Sequence, residues 1–128
     1  MKIKLNSVIV QDQDHALRFY TEVLGFSKKI DFPAGKHRWL TVVSPDEPKG
    51  AQLVLEPDAN PAAAEYQRAL HGAGIPATAF EVEDIEEECR RLKELGVGFT
   101  SEPTNQGFVV LAAFDDTCGN LIQIYQVS

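Results

Sequence analysis

Side chains that can bind a metal ion or act as nucleophiles are few in this sequence and lie far apart. The chain has three histidines, His15, His37 and His71, and two cysteines, Cys89 and Cys118. We expect His15, in an acidic helix start, and His71, in a glycine-rich connector, to be solvated surface residues, while His37 lies in or beside a hairpin turn. The sequence has no glycine-rich phosphate loop, nucleophile elbow or clustered metal-ligand motif. The spacing of these residues alone therefore indicates neither nucleophilic nor metal chemistry.

Both cysteines are interpreted as structural. Cys89 falls on the apolar stripe of a predicted helix, where a thiol packs as a small hydrophobic group. Cys118 lies in a turn that we expect to be exposed, and no His or Asn is placed by sequence to activate it, so a catalytic role is not expected. Two cysteines so far apart do not indicate a disulfide framework, and a reduced, cytoplasmic chain is the expectation.

Length and charge narrow the classes of partner. A chain of 128 residues is typical of one domain. Its formal net charge of −7 repels phosphate backbones and anionic lipids, so we expect no nucleic acid and no membrane surface as partner. Small neutral or cationic ligands fit this charge better. The first residues lack the apolar segment of a signal peptide, and no apolar stretch approaches the ~20 residues that span a bilayer.

Hydrophobic periodicity and turn residues predict the elements that must position any site. Aspartates are typical helix caps and glycines typical helix ends, and both recur here at matching places. The helices are predicted from Asp12 or Asp14 to Gly25, from Asn60-Pro61 to about Leu70 and from Asp84 to Gly96. The strands are predicted near residues 3–10, 26–32, 38–43, 51–56, 77–82, 98–101, 108–114 and 121–127.

The element order contains an internal repeat. Val10-Gln11-Asp12 corresponds to Val82-Glu83-Asp84, 72 residues later, and Leu24-Gly25 corresponds to Leu95-Gly96, 71 residues later. We therefore predict a duplicated βαβββ module of the α+β class. Each half is too small to be called a domain, so residues 1–128 are interpreted as one domain. Module 1 covers about residues 1–57, a connector about 58–76 and module 2 about 77–128.

Two segments carry a resemblance to a known family. Val10-x-Asp12 followed by the run Phe19–Phe26 resembles the first module of the vicinal oxygen chelate superfamily, which includes glyoxalase I, bleomycin and fosfomycin resistance proteins and extradiol dioxygenases. The late segment Asp116–Ile124 resembles the family's Asp-Pro-Asp-Gly-Asn turn and the strand after it, with Thr117 in place of Pro and Cys118 in place of the second Asp. The resemblance implies curved mixed sheets that enclose a cavity, and a homodimer.

The resemblance also implies where a metal ion would be bound. Members with metal chemistry take four ligands from the first and fourth strands of each module, and the equivalent positions here are Leu5, Gln52, Ala77 and Gln123. The two modules place them 71 or 72 residues apart, as they place the helix landmarks. Two neutral amides and two apolar side chains do not suit a zinc or nickel ion. We therefore expect no metal cofactor, and Gln52 and Gln123 are interpreted either as ligand-orienting amides or as ordinary sheet residues.

A shifted alignment leaves one enzymatic alternative open. A slip of two residues keeps the same face of a strand, so Glu56 and Glu81 could also face the implied cavity. Two carboxylates there could bind a divalent cation or act as a general base. Their simpler interpretation is as solvated acids at strand ends.

Alternation along the strands predicts which side chains line the cavity. An apolar, aromatic pocket with a few polar groups is typical of small-molecule sites, although each aromatic residue alone could equally be core. His37 could reach the mouth of the cavity. The predicted ligand-binding residues are Ser7, Trp39, Thr41, Gln52, Phe108, Gln123 and Tyr125.

Three functions follow from these observations. The leading hypothesis is a metal-free family member that binds a small organic molecule, as bleomycin resistance proteins do. The second is a metal-dependent lyase of the glyoxalase I type or a related enzyme that uses Glu56 or Glu81. The third is a structural or regulatory dimer with no ligand. A fold alone does not separate these functions.

Overall fold

The computed structural model describes every residue from Met1 to Ser128 and divides into two compact units, Met1–Glu65 and Tyr66–Ser128. The prediction of two βαβββ modules is confirmed, with a further helix between them. The longest helix, Pro61–Gly72, has 12 residues, and none of the helices could span a bilayer. The strands are β1 (Leu5–Val10), β2 (Ser27–Ala34), β3 (His37–Val43), β4 (Gln52–Pro57), β5 (Thr78–Glu81), β6 (Phe99–Asn105), β7 (Val109–Asp115) and β8 (Leu121–Val127); the helices are α1 (Gln13–Arg18), α2 (Pro61–Gly72) and α3 (Ile85–Glu94).

The first unit contains a four-stranded mixed sheet in the order β1-β4-β3-β2. β1 and β4 are parallel, and the other neighbours are antiparallel. Alternation along β1 buries Val8 and Val10 on one face and leaves Leu5 and Ser7 exposed on the other. Helix α1 contacts β4. The sheet therefore has one face that forms the core and one face that can carry a site.

The start of α1 is fastened to the sheet by polar side chains. Asp12 caps the helix by accepting a hydrogen bond from the backbone N–H of His15 at 3.0 Å. The buried Gln13 donates to the carbonyl oxygens of Arg38 at 2.8 Å and Leu55 at 2.9 Å, and accepts from the N–H of Arg38 at 3.0 Å. Three hydrogen bonds thus join the helix start to β3 and β4.

The sequence had indicated one regular α-helix after β1, and the structure differs from this prediction. After Arg18 the chain forms a π-helical turn, Phe19–Val23, in which the N–H of Leu24 donates to the carbonyl of Phe19 at 3.0 Å. The wider turn buries two consecutive aromatic residues, Phe19 and Tyr20, whose rings pack edge to face. In a regular α-helix, with 3.6 residues per turn, two consecutive side chains point in different directions. Apolar periodicity alone therefore does not predict that Phe19 and Tyr20 are both buried.

The second unit repeats the sheet in the order β5-β8-β7-β6, with β5 and β8 parallel. Asp84 caps α3 by accepting a hydrogen bond from the N–H of Glu87 at 3.1 Å. The expected apolar stripe of α3 is confirmed, since Ile85, Cys89 and Leu92 are buried. Both sheets are open, because each has two edge strands.

The turn that precedes β8 is built on buried polar groups. The carboxylate of Asp116 is fully buried and accepts hydrogen bonds from the N–H groups of Cys118 and Asn120 and from the Asn120 side chain. The buried amide of Gln67 in α2 donates to the Cys118 carbonyl at 3.1 Å and to Asn120 at 3.2 Å. The expectation that Cys118 is exposed is wrong. These hydrogen bonds hold the turn against α2, and Cys118 is only 2% exposed.

Candidate functional site

The second unit contains an open cavity of about 660 Å³ on one face of its sheet. Strands β6, β7 and β8 form its floor, and the end of α2 with the chain that follows lies at its rim. The cavity is lined by His71, Gly72, Gly74, Pro76, Thr100, Ser101, Thr104, Gln106, Leu111, Ala112, Ala113, Asp115, Leu121 and Gln123. No Phe, Tyr or Trp belongs to this lining, so its apolar part is aliphatic.

Strand register explains why the central residues share this face. Ala113 pairs with Gln123, and Asp115 pairs with Leu121, between the antiparallel strands β7 and β8. Paired residues point to the same side of a sheet, and every second residue along a strand returns to that side. Leu111, two residues before Ala113, therefore joins the same floor.

His71 and Asp115 form a polar pair at the cavity. The Nε2 of His71 lies 2.8 Å from the Oδ2 of Asp115, and the Oδ1 of Asp115 accepts a hydrogen bond from the N–H of Thr117 at 2.8 Å. The side chains are 42% and 38% exposed. His71 was expected to be a solvated surface residue; it is partly exposed, but it has a carboxylate partner and lines the cavity. No local pattern could reveal this pair, because 44 residues separate its members.

Gln123 is the sequence-predicted residue that lies in this cavity. It is half-buried in β8, and its amide makes no hydrogen bond within the protein. The amide of Gln106 is likewise unpaired, whereas Thr104 donates its hydroxyl proton to the carbonyl of Glu102 at 2.9 Å. Two free amides and an acceptor hydroxyl oxygen therefore border the same space.

The charges in the lining are few. Asp115 is its only carboxylate, His71 its only other titratable group, and it contains no Lys or Arg. An anionic ligand would therefore meet no cationic partner other than a protonated His71.

The predicted residues of the first unit gather on one sheet face. The hydroxyl of Thr41 donates to the side-chain oxygen of Gln52 at 2.8 Å, and Thr41 is fully buried. Gln52 pairs with Leu5 between β4 and β1, and Ser7 pairs with Val54, so Leu5 and Ser7 lie on this same face. One lone pair of the Gln52 oxygen is thus already used inside the sheet.

The predicted aromatic residues do not share one place. Trp39 is half-buried in β3 of the first unit, opposite Phe32. Tyr125 lies in β8 opposite Leu111, on the face of Gln123, but outside the cavity lining. Phe108 is 78% exposed in the turn before β7, outside both the strand and the lining.

The remaining candidates lie at exposed positions. Ala77 is exposed just before β5, and its N–H donates to the carbonyl of Leu121 at 2.8 Å. Glu56 in β4 pairs with Ile9, and Glu81 in β5 pairs with Tyr125; both glutamates are exposed and belong to different units. No group of three or more His, Cys, Asp or Glu side chains is arranged to hold a metal ion.

Neither thiol is set up as a nucleophile. Burial raises the pKa of Cys89 to about 11, so the thiol stays protonated near neutral pH. Cys118 is buried within its turn. The cysteine interpretation from the sequence therefore holds for Cys89 as core.

Comparison with known proteins places this fold in a family. The sequence pattern of the Glyoxalase/Bleomycin resistance protein/Dioxygenase superfamily matches residues 2–124. The Bacillus subtilis protein YurT is 61% identical over 98% of this chain and 99% of its own. A probable lactoylglutathione lyase of Synechocystis sp. is 31% identical over 93% of this chain and 90% of its own. The solved structure of TnmS3, an antibiotic binding protein from Streptomyces sp. CB03234, has a TM-score of 0.80 and 30% identity, covering 100% of this chain and 97% of that one.

A match across nearly the whole chain agrees with the two mixed sheets and with the internal repeat. The chain belongs to the Glyoxalase/Bleomycin resistance protein/Dioxygenase superfamily.

Proposed function

We propose that this protein binds a small organic molecule, without a metal ion, in the cavity of the Tyr66–Ser128 unit. The observation that carries the proposal is the cavity itself. Its volume of about 660 Å³ lies within the range of ~300–1,000 Å³ that is usual for small-molecule sites. Leu111, Leu121 and Pro76 supply apolar walls, and Gln123 supplies an amide with no partner inside the protein. A few polar groups in an otherwise apolar wall are what fixes the orientation of a ligand.

The donor set supports the metal-free part of the proposal. The positions that the family resemblance equates with metal ligands hold Leu5, Gln52, Ala77 and Gln123, which offer no anionic or imidazole donor. The oxygen of Gln52 also accepts a hydrogen bond from Thr41. A divalent transition metal needs several charged or imidazole ligands, so these residues do not fit one.

Two relatives point to different functions. TnmS3, which is named as an antibiotic binding protein, supports a binding role for this chain. The Synechocystis relative is named as a probable lactoylglutathione lyase. It supports the alternative function, a metal-dependent lyase that uses Glu56 or Glu81. The chemistry at the candidate positions favours the binding role, because the exposed Glu56 and Glu81 belong to no group of three or more potential ligands.

The other residues expected to contact the ligand stay predictions: Ser7, Trp39, Thr41, Gln52, Phe108 and Tyr125. A cytoplasmic homodimer is proposed from the family resemblance, and light scattering tests the dimer.

Thermal denaturation of chelator-treated protein tests the function. Small organic compounds and divalent metal salts are added in parallel samples, and we expect a higher Tm with some of the organic compounds and none with metals. A ligand present at a hundred times its Kd stabilises the folded state by about 2.7 kcal/mol, which such a measurement resolves. Stabilisation by nickel, zinc or manganese, without any by organic compounds, would contradict the proposal.

A variant that blocks the cavity tests whether the compounds that raise the Tm bind there. Thr104→Trp places a large ring in the cavity from an exposed position of an edge strand, so the core is not disturbed. Ser27→Trp makes the same change on the exposed edge strand β2 of the other unit and serves as the control. We expect the first variant to lose the ligand-induced rise in Tm and the second to keep it. An equal response of both variants would place the ligand elsewhere.

A further inference from the structure

The His71–Asp115 pair fixes the hydrogen-bonding role of an imidazole at the cavity. The ionised carboxylate of Asp115 can only accept hydrogen bonds, and its Oδ2 lies 2.8 Å from Nε2 of His71. When the imidazole is neutral, the proton must therefore be on Nε2. Nδ1 then carries a lone pair, and it has no partner within the protein.

Two hydrogen bonds hold Asp115 in place, and Asp115 in turn orients the imidazole of His71. The Oδ1 of Asp115 accepts the N–H of Thr117 at 2.8 Å, and its backbone N–H donates to the carbonyl of Gly98 at 3.0 Å. His71 ends the last turn of α2, one residue before the helix finishes at Gly72. A carboxylate that orients an imidazole in this way leaves the other ring nitrogen available to a bound molecule.

The hydroxyl oxygens of the lining are hydrogen-bond acceptors, the amides of Gln106 and Gln123 are both donors and acceptors, and no side chain other than His71 can carry a positive charge. The hydroxyl of Thr104 donates a hydrogen bond to the backbone carbonyl of Glu102. The hydroxyls of Thr100 and Ser101 each donate to a backbone carbonyl oxygen at 3.4 Å. The lining contains no Lys or Arg. These groups suit a molecule that brings its own O–H or N–H donors, and they give no positively charged partner to a carboxylate or phosphate.

We propose that His71, oriented by Asp115, accepts a hydrogen bond through Nδ1 from a hydroxyl or amine of the ligand, which is a neutral or cationic, donor-bearing organic molecule. This inference rests on the proposed binding function and names the ligand class and a residue that selects it. Leu111 and Leu121 contact the apolar body of such a molecule, and His71 distinguishes a donor from a capped analogue.

Matched naphthalene compounds test the inference. 2-Naphthol carries an O–H donor, 2-methoxynaphthalene has the same ring with that donor capped, and 2-naphthoate carries an anion. Their binding is measured by fluorescence titration at about pH 8. We expect 2-naphthol to bind roughly three- to tenfold more tightly than its methyl ether, the ratio that one net hydrogen bond gives. We expect 2-naphthoate to bind more weakly than both.

Two substitutions separate the roles of the ring nitrogens. Glutamine places its amide near the position of Nε2, so His71→Gln keeps a donor for Asp115 and loses the acceptor at Nδ1. Asparagine places its amide near Nδ1, so His71→Asn keeps an acceptor there and loses the contact with Asp115. We expect His71→Gln to abolish the preference for 2-naphthol over the ether and His71→Asn to retain part of it. His15→Gln, in α1 of the other unit, is the control and should bind as the unaltered protein does.

The outcomes distinguish the inference from the function on which it rests. If all naphthalenes bind with equal affinity, or if His71→Gln leaves the preference unchanged, the role of His71 is wrong while the binding function stands. If no naphthalene binds but other organic compounds raise the Tm, the proposed ligand class is wrong. If no organic compound binds at all, the proposed function itself fails. Unfolding of each variant by heat shows that the comparison is made between folded proteins.

Discussion

Gly119 shows how closely the backbone approaches a side chain in the turn before β8. Its φ is +103°, a region that L-residues with a side chain rarely occupy. A Cβ added there would lie 2.6 Å from Nε2 of Gln67, whose amide is buried and holds Cys118 and Asn120. A side chain at this position would therefore strain the backbone and displace a buried hydrogen-bonded group.

Gly119→Ala should lower the free energy of unfolding by about 2–5 kcal/mol, as the sum of backbone strain and disturbed buried hydrogen bonds. Gly25→Ala is a matched control, since Gly25 has a φ of +89° but open space where its Cβ would be. The control should lose only about 1–2 kcal/mol from the backbone. Urea denaturation measures both. Equal losses would mean that the contact with Gln67 has no energetic consequence.

At the scale of elements, the helix starts are joined to the sheets by side chains rather than by apolar packing alone. Gln13 directly follows the capping Asp12 and satisfies three backbone groups in β3 and β4. In the second unit, the backbone N–H of Ile85, which follows the cap Asp84, donates to the side-chain oxygen of Gln126 at 2.8 Å. Both modules thus fasten the helix start with a glutamine, although the glutamine lies in the helix of one and in a strand of the other.

Gln13→Leu should therefore destabilise the protein well beyond the loss of one ordinary hydrogen bond. Leucine fills a similar volume but removes the partner of the buried Leu55 carbonyl and of the part-buried Arg38 carbonyl and N–H. A buried polar group left unpaired costs about 1–3 kcal/mol, and a part-buried group costs less. We expect a loss of about 2–4 kcal/mol in urea denaturation. Gln11→Leu, at an exposed position two residues earlier, should change stability by less than about 0.5 kcal/mol. A loss of similar size in both variants would contradict the proposed fastening.

The sequence was sufficient for the order and type of the elements, because caps, glycines and periodicity are local signals. The ends of β6 were harder to predict, since the strand reaches Asn105 rather than residue 101. Pro103 has no N–H to give to a ladder, and the register with β7 shifts twice along this strand, so alternation is lost. The π-helical turn escaped prediction for a similar reason: it breaks the period on which helix recognition depends.

The site was predictable only in the part that the strands determine. The family resemblance implied that Gln123 faces the cavity, and the offset of the internal repeat agreed with that placement. His71 and Asp115 could not be paired, because α2 must first bring residues 44 positions apart together. The burial of Cys118 was missed for the same reason, since it depends on Gln67 in α2. Contacts of this kind belong to the tertiary structure and leave no local pattern.

At the scale of the whole molecule, the net charge acts on any charged ligand before contact. The chain has 19 acidic and 12 basic residues, which gives −7 with neutral histidines. The cavity lining adds one carboxylate, Asp115, and no Lys or Arg to this field. The net charge and the lining of the proposed site would therefore both attract a cationic ligand, whereas a neutral ligand would respond to neither.

Salt dependence separates this field from the local hydrogen bond. Added salt shortens the Debye length from about 30 Å at 0.01 M to about 3 Å at 1 M ionic strength. Salt therefore removes the long-range attraction of a cation and leaves the proposed hydrogen bond to His71 intact. The cation 2-naphthylmethylammonium should bind several-fold more weakly as salt is raised over this range, while the affinity of neutral 2-naphthol should change by less than about twofold. Fluorescence titration of both compounds provides the measurement, with the neutral compound as the internal control. An affinity for the cation that does not depend on salt would show that the acidic surface has no part in selecting the ligand. Weakening of both compounds by the same factor would instead indicate that salt changes the cavity itself.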